Sequence, residues 1–260
     1  MKEAISTVIP KRIGLAVLLT AAVTAGPTYL AGASDGIGDG STVEQADPVA
    51  IHSPAAVFAE ADRVLLRLDG NSKPNTEVFR NAYVGYQHLL GEGALTNTRY
   101  LTVVDFSLPS TEKRMWVIDL VEDRVAFHTF TAHGVNSGAL YADDFSNRSG
   151  SFQSSLGFYV AAETYTGKHG LSLKLDGMEP GFNDKARDRA VVLHGADYAT
   201  ADFVRRNGRL GRSRGCPAVP REVSTQIAKT ISGGSCLFIY HPSGHYLNRS
   251  RLLRLPSQTT

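Results

Sequence analysis

Three runs decide the fold: Tyr100-Leu-Thr-Val-Val-Asp-Phe106, Arg114-Met-Trp-Val-Ile-Asp-Leu120 and Arg124-Val-Ala-Phe-His-Thr-Phe-Thr-Ala132. Each is short and rich in β-branched and aromatic residues, and turn-forming residues separate them. Glu122-Asp123 between the second and third reads as the bend of a hairpin. Working outward, Phe158 to Ala162, Leu171 to Leu175, Val191 to Leu193 and Cys236 to Tyr240 continue the series. Helical patterns interrupt it twice. Thr200 to Asn207 starts on a capping threonine and stops at Gly208, while Arg221 to Ser232 follows Pro220 and ends at Gly233-Gly234. This order excludes alternating βαβ units. It predicts a mainly β domain with short helices and a mostly antiparallel sheet over residues 99–246.

Upstream, Pro54 to Leu68 and Thr76 to Leu90 predict two helices. The second places Phe79, Tyr83, Tyr86 and Leu90 at three- and four-residue steps before Gly91 and Gly93. Residues 54–98 therefore read as a helical extension packed as an appendage. Ser34 to Ser53, rich in Gly, Asp, Ser and Ala without apolar periodicity, reads as a flexible linker, and residues 247–260 as a loose tail. Residues 1–33 have the form of an export signal: Lys2, Lys11 and Arg12, then the apolar run Ile13 to Ala25, then Ala31-Gly32-Ala33. A retained membrane anchor is the competing reading. Pro27 and the small residues favour cleavage after Ala33, which leaves no stable membrane span. In both cases the β domain is expected outside the cytoplasm, in the periplasm or cell envelope. A net charge of +2 is too small to point to nucleic acid as a partner.

The chemistry concentrates in Val191-Val192-Leu193-His194-Gly195 and Gly211-Arg212-Ser213-Arg214-Gly215-Cys216-Pro217. A histidine at the end of an apolar strand and a cysteine in a glycine-rich loop are the parts of a thiol nucleophile and its base. Cys236 lies in an apolar strand run, where cysteine behaves as a small hydrophobe. Two cysteines in an exported chain suggest a disulfide, but such unlike surroundings argue against a pair. Gly195 is expected to leave room for another backbone or a substrate. Pro217 has no N–H, so oxyanion donors are sought at Cys216, Gly215 or Arg214. Arg209, Arg212 and Arg214 are expected to lower the thiol pKa or hold a substrate carboxylate. Ser213 either donates to substrate or completes the turn. His133, and His169 beside Tyr165 and Lys168, are candidates to line the opposite side of the cleft. His241-Pro-Ser-Gly-His245 lacks a third ligand, so no metal site is expected.

These residues resemble the L,D-transpeptidase (YkuD-like) catalytic domain, whose motif is a His-Gly pair followed by Ser/Thr-His-Gly-Cys. Here it stands as His194-Gly195, then Ser213-Arg214-Gly215-Cys216, in a Gly-Arg-Ser-x-Gly-Cys-Pro context like that of the second-type branch. Ser155-Leu156-Gly157-Phe158-Tyr159 looks like the stretch that enters the family's site. The resemblance covers about residues 99 to 241 and implies an L,D-transpeptidase-like β-sandwich, with Cys216 as nucleophile and His194 as base. It implies peptidoglycan stem peptides as substrate, and no cofactor. Two positions depart from the pattern. Arg214 stands for the family's second histidine, and Ala218 for its Arg or Asn two residues past the cysteine.

Three other readings compete. A sortase-like enzyme would place His and Cys much farther apart, and papain-like peptidases place Cys before His. An inactivated, peptidoglycan-binding module on the same fold draws on Arg214 and Ala218. Within the enzyme reading, cross-linking and L,D-carboxypeptidase action are both open.

Overall fold

The computed structural model describes residues 54–69 and 72–254; the expected export signal, the expected linker and the last six residues lie outside them. Helix α1 (Pro54–Arg67) leads to α2 (Thr76–Gly91), whose first turn is capped by Asn75 Oδ1 accepting the Glu77 N–H at 2.9 Å. The strands follow: β1 (Tyr100–Asp105), β2 (Met115–Asp119), β3 (Arg124–Thr129), β4 (Gly157–Gly167), β5 (Gly170–Gly177) and β6 (Val192–Gly195). Then come α3 (Ala201–Asn207), β7 (Ala218–Val219), α4 (Arg221–Ile231), β8 (Ser235–Tyr240) and α5 (Gly244–Leu247).

The mainly β fold with short helices is as the sequence predicts. Its strands form one eight-stranded sheet in the order β3-β2-β1-β8-β4-β5-β6-β7. Pairing is antiparallel except for β1 with β8 and β6 with β7. The sheet does not stay open. Ala132, just past β3, exchanges both main-chain hydrogen bonds with Ala218 of β7, at 2.8 and 3.3 Å, so the two ends meet and the sheet nearly closes. The layers expected of a sandwich thus belong to one curled sheet. Closure also removes two exposed edges, the ordinary hazard of such sheets.

The helical stretch is more than an appendage. Val78, Phe79, Ala82, Tyr83, Tyr86 and Leu89 of α2 share one hydrophobic core with β1, β4 and β8. Gly85 permits this fit, because a Cβ there would lie 2.0 to 2.5 Å from the Phe158 ring. Phe158 itself stacks on Phe238 at 4.1 Å between centroids. The expectation of a loose tail is corrected over residues 247–254. Leu252 and Ser250 are fully buried, and Arg251 pairs with Glu92. Among the described residues no helix is long and apolar enough to cross a membrane.

Candidate active site

His194 sits on the last turn of β6 toward the surface, yet only 4% of it is exposed. Its Nδ1 lies 3.1 Å from the Gly195 carbonyl oxygen. A carbonyl only accepts, so Nδ1 carries the hydrogen and Nε2 is left with its lone pair. The ring stacks on His169, at the tip of the β4–β5 hairpin, with centroids 4.3 Å apart and planes 24° from parallel. Burial lowers the His194 pKa against the opposing pull of the Gly195 carbonyl, and the neighbouring His169, Arg221 and Lys168 lower it further. The base is held neutral.

Cys216 lies on the loop that enters β7. The loop is wound by Ser213, whose hydroxyl accepts the Gly215 N–H at 3.0 Å and donates to the Cys216 carbonyl at 2.6 Å. Gly215 has φ +118°, and a Cβ there would lie 2.6 Å from the Gln153 carbonyl oxygen, so only glycine fits. Ser154 Oγ bridges the Gly134 N–H and the Gly215 carbonyl. The thiol donates to the Ala190 carbonyl at 3.7 Å and accepts from the Val192 N–H at 3.5 Å. Those are its hydrogen-bond partners; His194 is not among them and lies on the adjacent strand β6, where its backbone pairs with Ala218. Burial pushes the thiol pKa up, outweighing the Val192 N–H, Arg189 and Lys168, which pull it down. The resting sulfur is a thiol.

Several expectations change here. Gly195 makes room for α4, since a Cβ on it would lie 2.5 Å from Ser224 Oγ. The three loop arginines do not gather on the sulfur. Arg209 bonds the Leu210 carbonyl, Arg212 holds the carbonyls of Val135 and Gly138, and Arg214 is exposed over the Phe152 ring. Ser213 completes the turn. With the Gly215 N–H taken by Ser213, the N–H groups left for an oxyanion are those of Cys216 and Arg214. His133, 1% exposed, does not face a cleft: its Nδ1 accepts from the buried Arg114 at 2.7 Å, and its backbone carbonyl takes the Ser213 N–H. It steadies the cysteine loop from behind. Tyr165, 39% exposed, lies under Lys174 on the hairpin. Ala218, where the family has a larger residue, is fully buried in a small cluster with Ala132, Ala196, Ala199 and Leu210. Its small size serves the closure of the sheet.

The structure adds residues that the sequence did not single out. Arg189 is the guanidinium whose charge acts on the thiol, and it clasps the 146–155 loop through Ser146 O and Gln153 O, each at 2.7 Å. Ala190, which supplies the sulfur's acceptor, has φ +52°, a strained backbone for an alanine. Arg114 is fully buried and donates to Thr131 O, Leu108 O and His133. Neither arginine had a local sequence signal: Arg189 stands three residues before β6, and Arg114 meets His133 only in the fold. Both cysteines are free, Cys236 being sealed inside β8.

A loop thiol at the start of β7 and an imidazole of fixed tautomer on the neighbouring β6 are the parts of a thiol-nucleophile site. The chain belongs to the L,D-transpeptidase catalytic domain family, whose model matches residues 70–240 and so takes in α2 as well as the sheet. No curated protein matches it. Among solved structures it is similar to an L,D-transpeptidase from Mycobacterium smegmatis, at 13% identity and a TM-score of 0.34 over 55% of this chain and 59% of that one. It is also similar to an L,D-transpeptidase from Stackebrandtia nassauensis, at 10% identity and a TM-score of 0.35 over 65% and 68% of the two chains. The chain thus spans about three fifths of the length of the mycobacterial protein.

Proposed function

We propose that this protein is an exported cysteine L,D-transpeptidase that acts on peptidoglycan stem tetrapeptides. The observation that supports the reading is a protonated Cys216, on a loop with two open N–H groups that enters β7, next in the sheet to the β6 strand carrying a neutral His194 whose Nδ1–H is fixed on Gly195. A thiol pushed up by burial needs a base, and a base held neutral can serve. The sulfur turns from the Ala190 carbonyl to His194 Nε2 and gives up its proton. The thiolate attacks the carbonyl of the stem's diamino acid, and the developing oxyanion meets the N–H groups of Cys216 and Arg214. The bond to the terminal D-alanine breaks, its amine takes the proton from His194, and a thioester remains. An amine of a second stem, or water, then attacks the thioester and frees the thiol.

Transfer to an amine forms a cross-link or exchanges the terminal D-amino acid; transfer to water trims the stem. The packing role of Ala218 removes one of the two arguments for an inactive binding module. Wild-type protein incubated with purified muropeptides should show a covalent adduct by intact mass. Cys216→Ala should show none, and His194→Ala a rate lower by about 100-fold or more. An adduct retained by Cys216→Ala would sink the mechanism.

A further inference from the structure

The cysteine loop carries a group of side chains that the mechanism above does not use. Arg214, two residues before Cys216, is exposed, and its guanidinium carbon stands 5.3 Å over the centroid of Phe152. Among the described residues no carboxylate lies within ion-pair distance of it. Phe152 is 40% exposed and has φ +55°, a conformation that bulky side chains avoid. The surroundings enforce it. The Phe152 carbonyl accepts the Asn136 N–H at 3.2 Å, the Gln153 side chain bonds the Asn136 carbonyl at 3.0 Å, and Arg189 grips the Gln153 carbonyl. Val135, 36% exposed, is joined to the same loop by its N–H on the Ser213 carbonyl at 2.8 Å. Glycines let these segments touch: a Cβ on Gly134 would lie 2.4 Å from the Phe152 carbonyl oxygen and 3.0 Å from the Gly215 Cα.

The backbone is therefore constrained to present an aromatic face and an aliphatic side chain near an unpaired guanidinium, on the loop that carries the nucleophile two residues further on. Strain kept in place beside a reactive group calls for a use. Arg214 is not among the cations acting on the thiol; those are Arg189 and Lys168. Its partner must come from outside the chain. A carboxylate fits the guanidinium fork, and a small apolar group fits the Phe152 and Val135 faces.

We propose that Arg214, Phe152 and Val135 form a subsite for a free carboxylate carried on a small apolar residue, and so select donors by their C-terminal D-amino acid. This rests on the transpeptidase reading for its substrate, so the test has one arm that does not. In the first arm, a stem tetrapeptide and its C-terminal amide are compared as donors. Wild type should prefer the carboxylate by about tenfold or more, the worth of one charge-assisted hydrogen bond. Arg214→Gln should lose that preference chiefly through KM, with Arg214→Lys regaining part of it, and Phe152→Leu should raise KM for both donors. In the second arm, Cys216 is alkylated with iodoacetate and with neutral iodoacetamide, and the ratio of rates is read. Arg214→Gln should lower the ratio by about twofold or more, the loss of one positive charge on the path of an anionic reagent. Wild type that turns over neither donor would refute the transpeptidase reading, with the labelling ratio still deciding the subsite. An unaltered ratio together with unaltered discrimination in Arg214→Gln would overturn the subsite itself.

Discussion

At the scale of single residues, the reactive sulfur is governed by opposed influences. Burial holds it protonated, while Arg189, Lys168 and the Val192 N–H favour the thiolate. The base is tuned the other way, kept neutral by burial and by the charges near it. His169 contributes both cover and charge to that tuning, since it stacks on His194 and is itself flanked by Lys168 and Arg221. Removing the ring should let water reach His194 and raise its pKa. A raised pKa leaves the base protonated at higher pH, so the acid limb of the Cys216 alkylation profile should move upward in His169→Ala. His169→Phe keeps the stack and should move it less. A profile that stays in place in His169→Ala would show that the stack does not tune the base. His194 and Cys216 themselves were legible as the candidates for a thiol site. Arg189 was not, because nothing in its own neighbourhood says that a cysteine 27 residues later will come under its charge.

At the scale of elements, α2 shows local pattern and distant packing acting together. Phe79, Tyr83 and Tyr86 marked its buried face correctly, and the Asn75 cap sets its start. Leu90, expected on that face, is 38% exposed, and Leu89 is buried instead. Gly85 in mid-helix costs about 1 kcal/mol relative to alanine by propensity alone. Gly85→Ala should nonetheless destabilise the protein by about 1–2 kcal/mol, because the new methyl must displace the Phe158 ring, which is already stacked on Phe238. Urea unfolding midpoints measure this directly; a stabilised variant would mean that the ring moves aside freely. The β4–β5 hairpin is longer than its apolar runs suggested. In its outer half Thr164 to Gly167 pairs with Gly170 to Leu173, and the tip carries His169 to His194.

At the scale of the whole molecule, closure of the sheet makes the site. The Ala132–Ala218 bridge brings the chain after β3 against the cysteine loop, and the buried Arg114–His133 pair supports the junction. Burial, reinforced by Arg114, lowers the His133 pKa to about 4. Unfolded, this histidine takes up a proton near pH 6.5; folded, it does not until about pH 4. Its contribution is therefore complete above pH 6.5 and lost as pH falls through that window. Between pH 7 and pH 4.5 wild type should lose about 2–3 kcal/mol more stability than His133→Gln, measured by urea melts at the two pH values. Equal losses would place the pH dependence elsewhere. A second junction lies at the chain's far end, where Tyr246 and Ser250 donate to the buried Glu179, whose other oxygen-bound donor is the Phe158 N–H. The sequence by itself determined what depends on neighbours along the chain: the strand runs, the helix caps and the His-Gly and Ser-Arg-Gly-Cys signatures. Only the tertiary structure decided that the sheet closes, that Arg189 rather than the loop arginines faces the thiol, and that the arginine-rich tail packs. Those outcomes rest on contacts between segments tens of residues apart, where burial and backbone closure, not local preference, set which groups meet.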